Sequence, residues 1–198
     1  MNLANLYTNL LKNPFDTFII TPNGDLITTK IWTHDRVDIL SGSYDPLHDG
    51  HRLLYENVID KFTTIKRLCF ELSLNRYNKE TLSLEELDRR AKQFRNYAPL
   101  VVTNSPLFID KVAVLPFQCH FHIGKDVGDK LWEHYGIGIG GIAAQFYVYP
   151  RGNPVKGEVE ELKLPYRIPN LTTIKTTKYS FLSSTELRSK IKEEVPSI

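Results

Sequence analysis

The chain has 198 residues, a formal net charge of +2, 41% hydrophobic and 24% charged side chains. That length fits one domain, or one domain with an appendage, and the composition excludes a disordered chain. The near-neutral balance excludes a nucleic-acid binder working through a large basic field, and no run of about 18 apolar residues reads as a membrane span.

Residues 1–35 read as an N-terminal appendage. In "MNLANLYTNLLKN", Leu3, Leu6, Tyr7, Leu10 and Leu11 fall at helical spacing, an amphipathic helix docked on the body. The segment lacks the basic start of a secretory signal and the Lys/Arg-rich face of a membrane-surface helix. "FDTFIITPNGDLITTKIW" reads as a hairpin, two β-rich runs around Asn23-Gly24. The body, residues 36–198, begins with a short strand through Val37, Ile39 and Leu40, broken by Gly42, Ser43 and Pro46. A helix follows in "HRLLYENVIDKF", with Leu54, Val58 and Phe62 on one face. "IKRLCFELSL" is a buried strand, and "LSLEELDRRAKQFRNY" a helix with Ser83 and Glu86 at capping-box spacing. "PLVVTNS" is a strand and "SPLFIDKVAVL" a short helix. "FQCHFHIG" alternates, with Phe117, Cys119, Phe121 and Ile123 on one side and Gln118, His120 and His122 on the other. "KDVGDKLWEHYG" is a helix, "AQFYVYPRG" and "LTTIKTT" are strands, and "SSTELRSKIKEEV" is the last helix. "GIGIGG", Gly136 to Gly141, follows a helix and precedes a strand, the reverse of a dinucleotide fingerprint, and reads as a flexible loop and candidate lid.

Strands alternating with helices predict an α/β fold with a doubly wound, mostly parallel sheet and a helix–hairpin appendage. Such sheets bind ligands at the carboxyl ends of their strands, near the switch in strand order, and every unusual residue cluster here follows a predicted strand. The first is "SGSYDPLHDGHRLL", Ser41 to Leu54. His48 and His51, three apart at a helix start, would share one face, and free N–H groups with a positive dipole end make an anion site there. Gly50 leaves room for close approach to the backbone. Two other readings stand beside this one: polar residues at a helix start, and a zinc site. For zinc, Cys119, His120 and His122 would have to complete the ligands, but alternation puts Cys119 on the opposite face from both histidines. Cys69 and Cys119 sit in apolar runs and read as reduced thiols of a cytoplasmic protein. The second cluster is "FLSSTELRSKI". Ser183 and Glu186 have capping-box spacing, while Ser184, Thr185 and Arg188 would suit phosphate, so cap and phosphate site balance.

The two clusters together resemble a known family. "GSYDPLHDGH" is similar to the G-x-F-D-P-x-H-x-G-H signature of the nucleotidyltransferase superfamily, with Tyr44 in place of Phe. "SSTELR" is similar to its late I-S-S-T-x-x-R signature, with Leu182 in place of Ile. "FHIGKDVGDKLWEHYG" looks like the G-x-D…W segment of nicotinamide mononucleotide adenylyltransferases. "CFELSLNRYNKETLSLEELDRRAKQF" and "VVTNSPLFIDKV" look like an adenylyltransferase-like branch whose second strand carries F-E-x-S followed by a Lys, here Lys79, with Glu80-Thr81 replacing prolines.

The resemblance implies a Rossmann-like fold and direct transfer of AMP from ATP to a nucleotide monophosphate, with pyrophosphate released and no covalent enzyme intermediate. Nicotinamide mononucleotide is the expected acceptor and NAD the product. His48 and His51 would hold phosphates and developing charge, with Gly50 between them. Gly42, Ser43 and Tyr44 would line the nucleotide. Ser183, Ser184, Thr185 and Arg188 would hold the β- and γ-phosphates, Arg188 as a catalytic cation. Gly124 and Asp126 would meet the adenosine ribose, and Mg²⁺ would ride on the ATP phosphates. Toward the acceptor, Lys79 and Arg90 would reach the monophosphate and Trp132 would stack on its ring. Arg90 also reads as a solvated helix charge and Trp132 as core. ATP and a mononucleotide are the expected partners, with no nucleic acid and no membrane, and a homo-oligomer is left open. The rival readings are another acceptor (nicotinate mononucleotide or phosphopantetheine), cytidylyl transfer from CTP, and a nucleotide-binding protein without turnover.

Overall fold

A computed structural model of the protein describes residues 2–62, 65–76, 79–153 and 158–176. The first helix, α1 (Leu3–Lys12), starts where the Asn2 side chain accepts a hydrogen bond from Asn5 N, and it buries Leu6 and Leu10. The hairpin β1 (Phe18–Ile20) and β2 (Leu26–Thr28) follows, its turn made by Gly24 at φ +92°. The body runs β3 (Arg36–Ser41), α2 (Asp49–Lys61), β4 (Leu68–Ser73), α3 (Leu84–Ala91), β5 (Leu100–Thr103), α4 (Phe108–Val114), β6 (Gln118–Gly124) and α5 (Lys125–Tyr135). Then come β7 (Ala144–Tyr149), the small antiparallel hairpin β8 (Arg151–Asn153) with β9 (Glu158–Glu160), and β10 (Leu171–Thr173).

Eight strands form one sheet in the order β10-β7-β6-β3-β4-β5-β1-β2. From β10 to β5 the pairings are parallel, as the alternating pattern predicts. The chain first builds outward from β3 to β4 and β5, then returns to place β6 and β7 on β3's other side. The switch point therefore lies at the carboxyl end of β3, where such sheets bind their ligands. Every residue of β4 is buried, as a parallel strand covered on both faces requires. One core contains Leu10, Leu40, Tyr44, Val58 and Phe70, and the other Ile39, Cys69, Phe121, Leu131 and Phe146.

The N-terminal hairpin is built into this sheet. β1 pairs antiparallel with β5, Ile19 opposite Val101, and Tyr7 of α1 donates from its hydroxyl to the Leu82 carbonyl at 2.8 Å. The physical reason is the run Phe18-Ile19-Ile20, buried throughout, which needs covering on both faces.

"GIGIGG" differs from expectation. It forms a 3₁₀ turn, Gly136–Gly141, with Ile139 fully buried. The Asn170 side-chain amide donates to the carbonyls of Ile139, Ile142 and Ala144, each at 2.9 Å. The segment is pinned to the end of the sheet, so it is neither a loose loop nor a lid.

Candidate active site

The signature loop leaves the central strand at Ser41. Gly42 N donates to the Glu71 carbonyl of neighbouring β4 at 3.1 Å, which fixes the first turn. Tyr44 then adopts φ +48°, a left-handed conformation that disfavours bulky side chains. Packing holds it there: the ring is 1% exposed and meets Phe70, Phe94 and His51 edge-on at 5.0 to 5.3 Å. Its hydroxyl donates to the Leu40 carbonyl, so the Tyr in place of the family's Phe has its own internal partner.

A Cβ on Gly42 would lie 2.7 Å from Cε1 and 2.8 Å from Cζ of that ring. The ring is enclosed and cannot yield. Gly42→Ala is therefore expected to cost about 1–3 kcal/mol of stability, the usual penalty of overpacking. Urea unfolding measures it, and a wild-type midpoint would show that the loop has slack.

The C-terminal end of α3 clamps the rest of the loop. Arg90, 3% exposed, donates from Nη1 to the Ser43 carbonyl at 2.8 Å and from Nη2 to Asp45 at 3.3 Å and Glu86 at 3.0 Å. Gln93 donates to the Tyr44 carbonyl at 2.9 Å and accepts from Leu47 N at 2.7 Å. Arg90 is thus neither a solvated charge nor open to the cleft described below; it stands behind the loop. Ser83 caps α3 by accepting from Glu86 N at 3.2 Å, but the Glu86 carboxylate does not reciprocate. It bonds Arg89 and Arg90, which hold it down to about 2.

The loop delivers His48 as the N-cap of α2, one position before the helix. His48 Nδ1 accepts from Gly50 N at 3.1 Å, and His51 Nδ1 accepts from His48 N at 3.2 Å. The rings stack with centroids 3.8 Å apart. With Nδ1 serving as acceptor in each ring, the proton of the neutral ring sits on Nε2. Burial, and secondarily His48, pulls the His51 pKa down from 6.5 to about 3, so His51 is a neutral donor at physiological pH.

Two more histidines resist protonation. His122 is fully buried, with Nε2 2.9 Å from Asp38 Oδ1 and Nδ1 2.9 Å from the Tyr149 hydroxyl. An Nε2–H donating to the carboxylate leaves Nδ1 to accept from Tyr149. Burial lowers both His122 and half-buried His120, against the pull of Asp38. The unfolded chain protonates such rings near 6.5, whereas the folded chain keeps them neutral. Their contribution to stability is therefore complete above about pH 6.5 and is lost as pH falls, for His51 down to about 3. Urea midpoints are expected to fall steadily from pH 7 to pH 5, and a flat profile would contradict this.

Beside the loop lies a cleft of about 650 Å³, at the carboxyl ends of β3 and β4 and between α4 and α5. Ser41, Gly42 and Ser43 form one side; Arg76, Lys79 and Lys130 bring cations; Phe108, Val127 and Leu131 make an apolar wall. Of the residues expected at the acceptor, Lys79 lines this cleft. Trp132 is half-buried against the second core, 6.4 Å from Tyr166, which fits its reading as core. Gly124 caps α5 where β6 ends, and Asp126 sits in that helix's first turn, 3.6 Å from Arg151. Ser183, Ser184, Thr185 and Arg188 lie outside the described residues. Sequence reasoning missed Arg76, Lys130 and Lys111 as cleft residues. The sequence signal for Lys111 is Glu71, a carboxylate inside an otherwise apolar strand that must have a buried partner.

Among the described residues, no group of three or more His, Cys, Asp or Glu is placed to hold a metal ion, and no helix is long and apolar enough to cross a membrane. Cys69 and Cys119 are free thiols, both buried, and Cys119 faces the core opposite His122.

A family model described as cytidylyltransferase-like matches residues 39–190. Solved structures of similar fold include Plasmodium falciparum nicotinic acid mononucleotide adenylyltransferase complexed with NaAD, at TM-score 0.53 and 17% identity over 79% of this chain and 83% of that one. The Plasmodium falciparum enzyme complexed with APC gives TM-score 0.51 and 17% identity over the same shares of the two chains. No curated protein matches the sequence.

Proposed function

Because the chain belongs to the cytidylyltransferase-like family of nucleotidyltransferases, we propose that it moves AMP from ATP to a nucleotide monophosphate, with nicotinamide mononucleotide as acceptor and NAD as product. One observation carries this reading: two stacked imidazoles, each accepting a backbone N–H at Nδ1, stand at the N-terminus of α2 by the switch point, and the cleft beside the same loop is lined by four cations, Arg76, Lys79, Lys111 and Lys130. An acceptor phosphate oxygen attacks the α-phosphorus, the bond to the β-phosphate oxygen breaks, and pyrophosphate leaves with the electron pair. The protein has to align two anions and stabilise charge on the transferring group.

His51 supplies a neutral donor to that charge, with His48 stacked on it beside the Gly50 backbone. Gly42, Ser43 and Tyr44 shape the adjoining wall through their backbone, held from behind by Arg90 and Gln93. ATP enters as its magnesium complex, the metal belonging to the substrate. On the family motif, Gly124 and Asp126 meet the adenosine ribose, and Ser183, Ser184, Thr185 and Arg188 take the β- and γ-phosphates. Arg76, Lys79 and Lys130 suit the acceptor monophosphate, and the wall of Phe108, Val127 and Leu131 suits its ring.

Nicotinate mononucleotide is the second reading for the acceptor. The solved structures named above are of a nicotinic acid mononucleotide adenylyltransferase, and the cleft is rich in cations. A panel of nicotinamide mononucleotide, nicotinate mononucleotide and phosphopantetheine, each offered ATP or CTP with Mg²⁺ and read as pyrophosphate, tests these assignments. Pyrophosphate with nicotinamide mononucleotide and ATP is the expected result. ATP binding without pyrophosphate from any combination would make the protein a nucleotide binder.

A further inference from the structure

Behind the cleft, three strands and α4 converge on one fully buried carboxylate. Glu71, inside β4, accepts from the Ser41 hydroxyl, from Thr103 Oγ1 at 2.6 Å, and from Lys111 Nζ, which lies 2.7 Å from Oε1 and 2.8 Å from Oε2. Its backbone carbonyl accepts from Gly42 N at 3.1 Å. The carboxylate thus ties β3, β5 and α4 together directly beneath the start of the signature loop. A Glu in a strand otherwise made of Leu, Cys, Phe and Ser is costly to bury unless paired, and here all its lone-pair sites have donors.

Lys111 differs from its partner in one respect: it forms part of the cleft wall, whereas Glu71 lies wholly behind it. An ammonium has three protons, and Glu71 engages it through two oxygens, which leaves a donor for a ligand in the cleft. Lys111 follows Phe108 of the apolar wall by one turn of α4, and both residues line the cleft. A ligand atom reaching this floor meets a hydrogen-bond donor whose charge is cancelled from behind. Such a donor matches a neutral oxygen, as in a carboxamide or hydroxyl. A carboxylate there would meet the Glu71 charge immediately behind the ammonium.

We propose that Lys111, neutralised by Glu71, is a specificity-determining residue that selects an acceptor carrying a neutral carboxamide over one carrying a carboxylate. The inference rests on the acceptor reading above, and direct binding separates its failure from that of the reaction.

The test is calorimetric binding of nicotinamide mononucleotide and nicotinate mononucleotide to the whole chain, with turnover measured in parallel. Glu71→Gln removes the cancelling charge and leaves the ammonium exposed to the cleft. The ratio of nicotinate to nicotinamide affinity is expected to rise at least about tenfold. Should Glu71→Gln fail to fold, Glu71→Gln/Lys111→Met removes both charges together and preserves the volume. In that variant nicotinamide mononucleotide should bind at least about tenfold more weakly. An unchanged affinity ratio in folded Glu71→Gln, or an unchanged nicotinamide affinity in the double variant, overturns the proposal while leaving the reaction intact. A shifted ratio with no pyrophosphate from either mononucleotide sustains the proposal and removes the reaction. Failure of both mononucleotides to bind the wild-type protein overturns both.

Discussion

His51→Ala is expected to lower turnover by about 10²–10³-fold, the usual effect of deleting one preorganised donor to transition-state charge. ATP affinity should change far less. The ring offers its Nε2–H to charge that builds during transfer, so its loss falls mainly on kcat. His48→Ala should act similarly and also remove the helix cap, at about 1 kcal/mol of stability. The pH dependence identifies the form of His51 that works. Since burial holds it neutral down to about 3, it should contribute no inflection to kcat between pH 5 and pH 8. An inflection near 6.5 that disappears in His51→Ala would mean that the imidazolium is the active form. Near-wild-type turnover in both alanine variants would remove the histidines from the chemistry.

Arg90→Ala should be the most damaging change outside the histidines. It breaks the bond to the Ser43 carbonyl and the links to Asp45 and Glu86 at once. Asp45 and Glu86 are partly exposed, at 26% and 41%, so water takes up some of the loss. A destabilisation of about 2 kcal/mol is expected, toward the low end for removing a buried hydrogen-bonded charge. The loop that presents Gly42 to His48 loses its rear support, so turnover should fall beyond what stability explains. Arg90→Lys should not restore it, because an ammonium cannot reach three acceptors in the plane of a guanidinium. Urea unfolding with steady-state kinetics measures both effects. Wild-type kinetics in a destabilised Arg90→Ala would confine Arg90 to a purely structural role.

Much of this architecture is legible in the sequence because it depends on local pattern. Alternating apolar strands and amphipathic helices set the parallel sheet, and the break at Gly42, Ser43 and Pro46 after an apolar run marks the end of the central strand. The features that stayed hidden depend on partners far along the chain. Phe18-Ile19-Ile20 reads as half of a hairpin, but its pairing with β5 joins residues about eighty positions apart. Arg90 looks like any charge on a helix until the Ser43 carbonyl, 47 residues earlier, is placed against it. "GIGIGG" has the composition of a loop, and only Asn170, about thirty residues later, pins it. The opposite holds for Tyr44, whose hydroxyl finds its partner four residues back at Leu40, where a turn of unusual φ brings it round. At the site, the histidine spacing marks the start of α2, where the structure stacks the two rings. The backbone N–H groups that the two Nδ1 atoms accept, from Gly50 and from His48, follow from His48 standing outside the helix.

The most direct measurement follows the α-phosphorus. Purified protein is incubated with ATP labelled at that atom, Mg²⁺ and nicotinamide mononucleotide, and the products are separated. Transfer as proposed puts the label into NAD, with one pyrophosphate released for each dinucleotide formed. Label remaining in ATP with no pyrophosphate, or appearing only as free AMP, would contradict it.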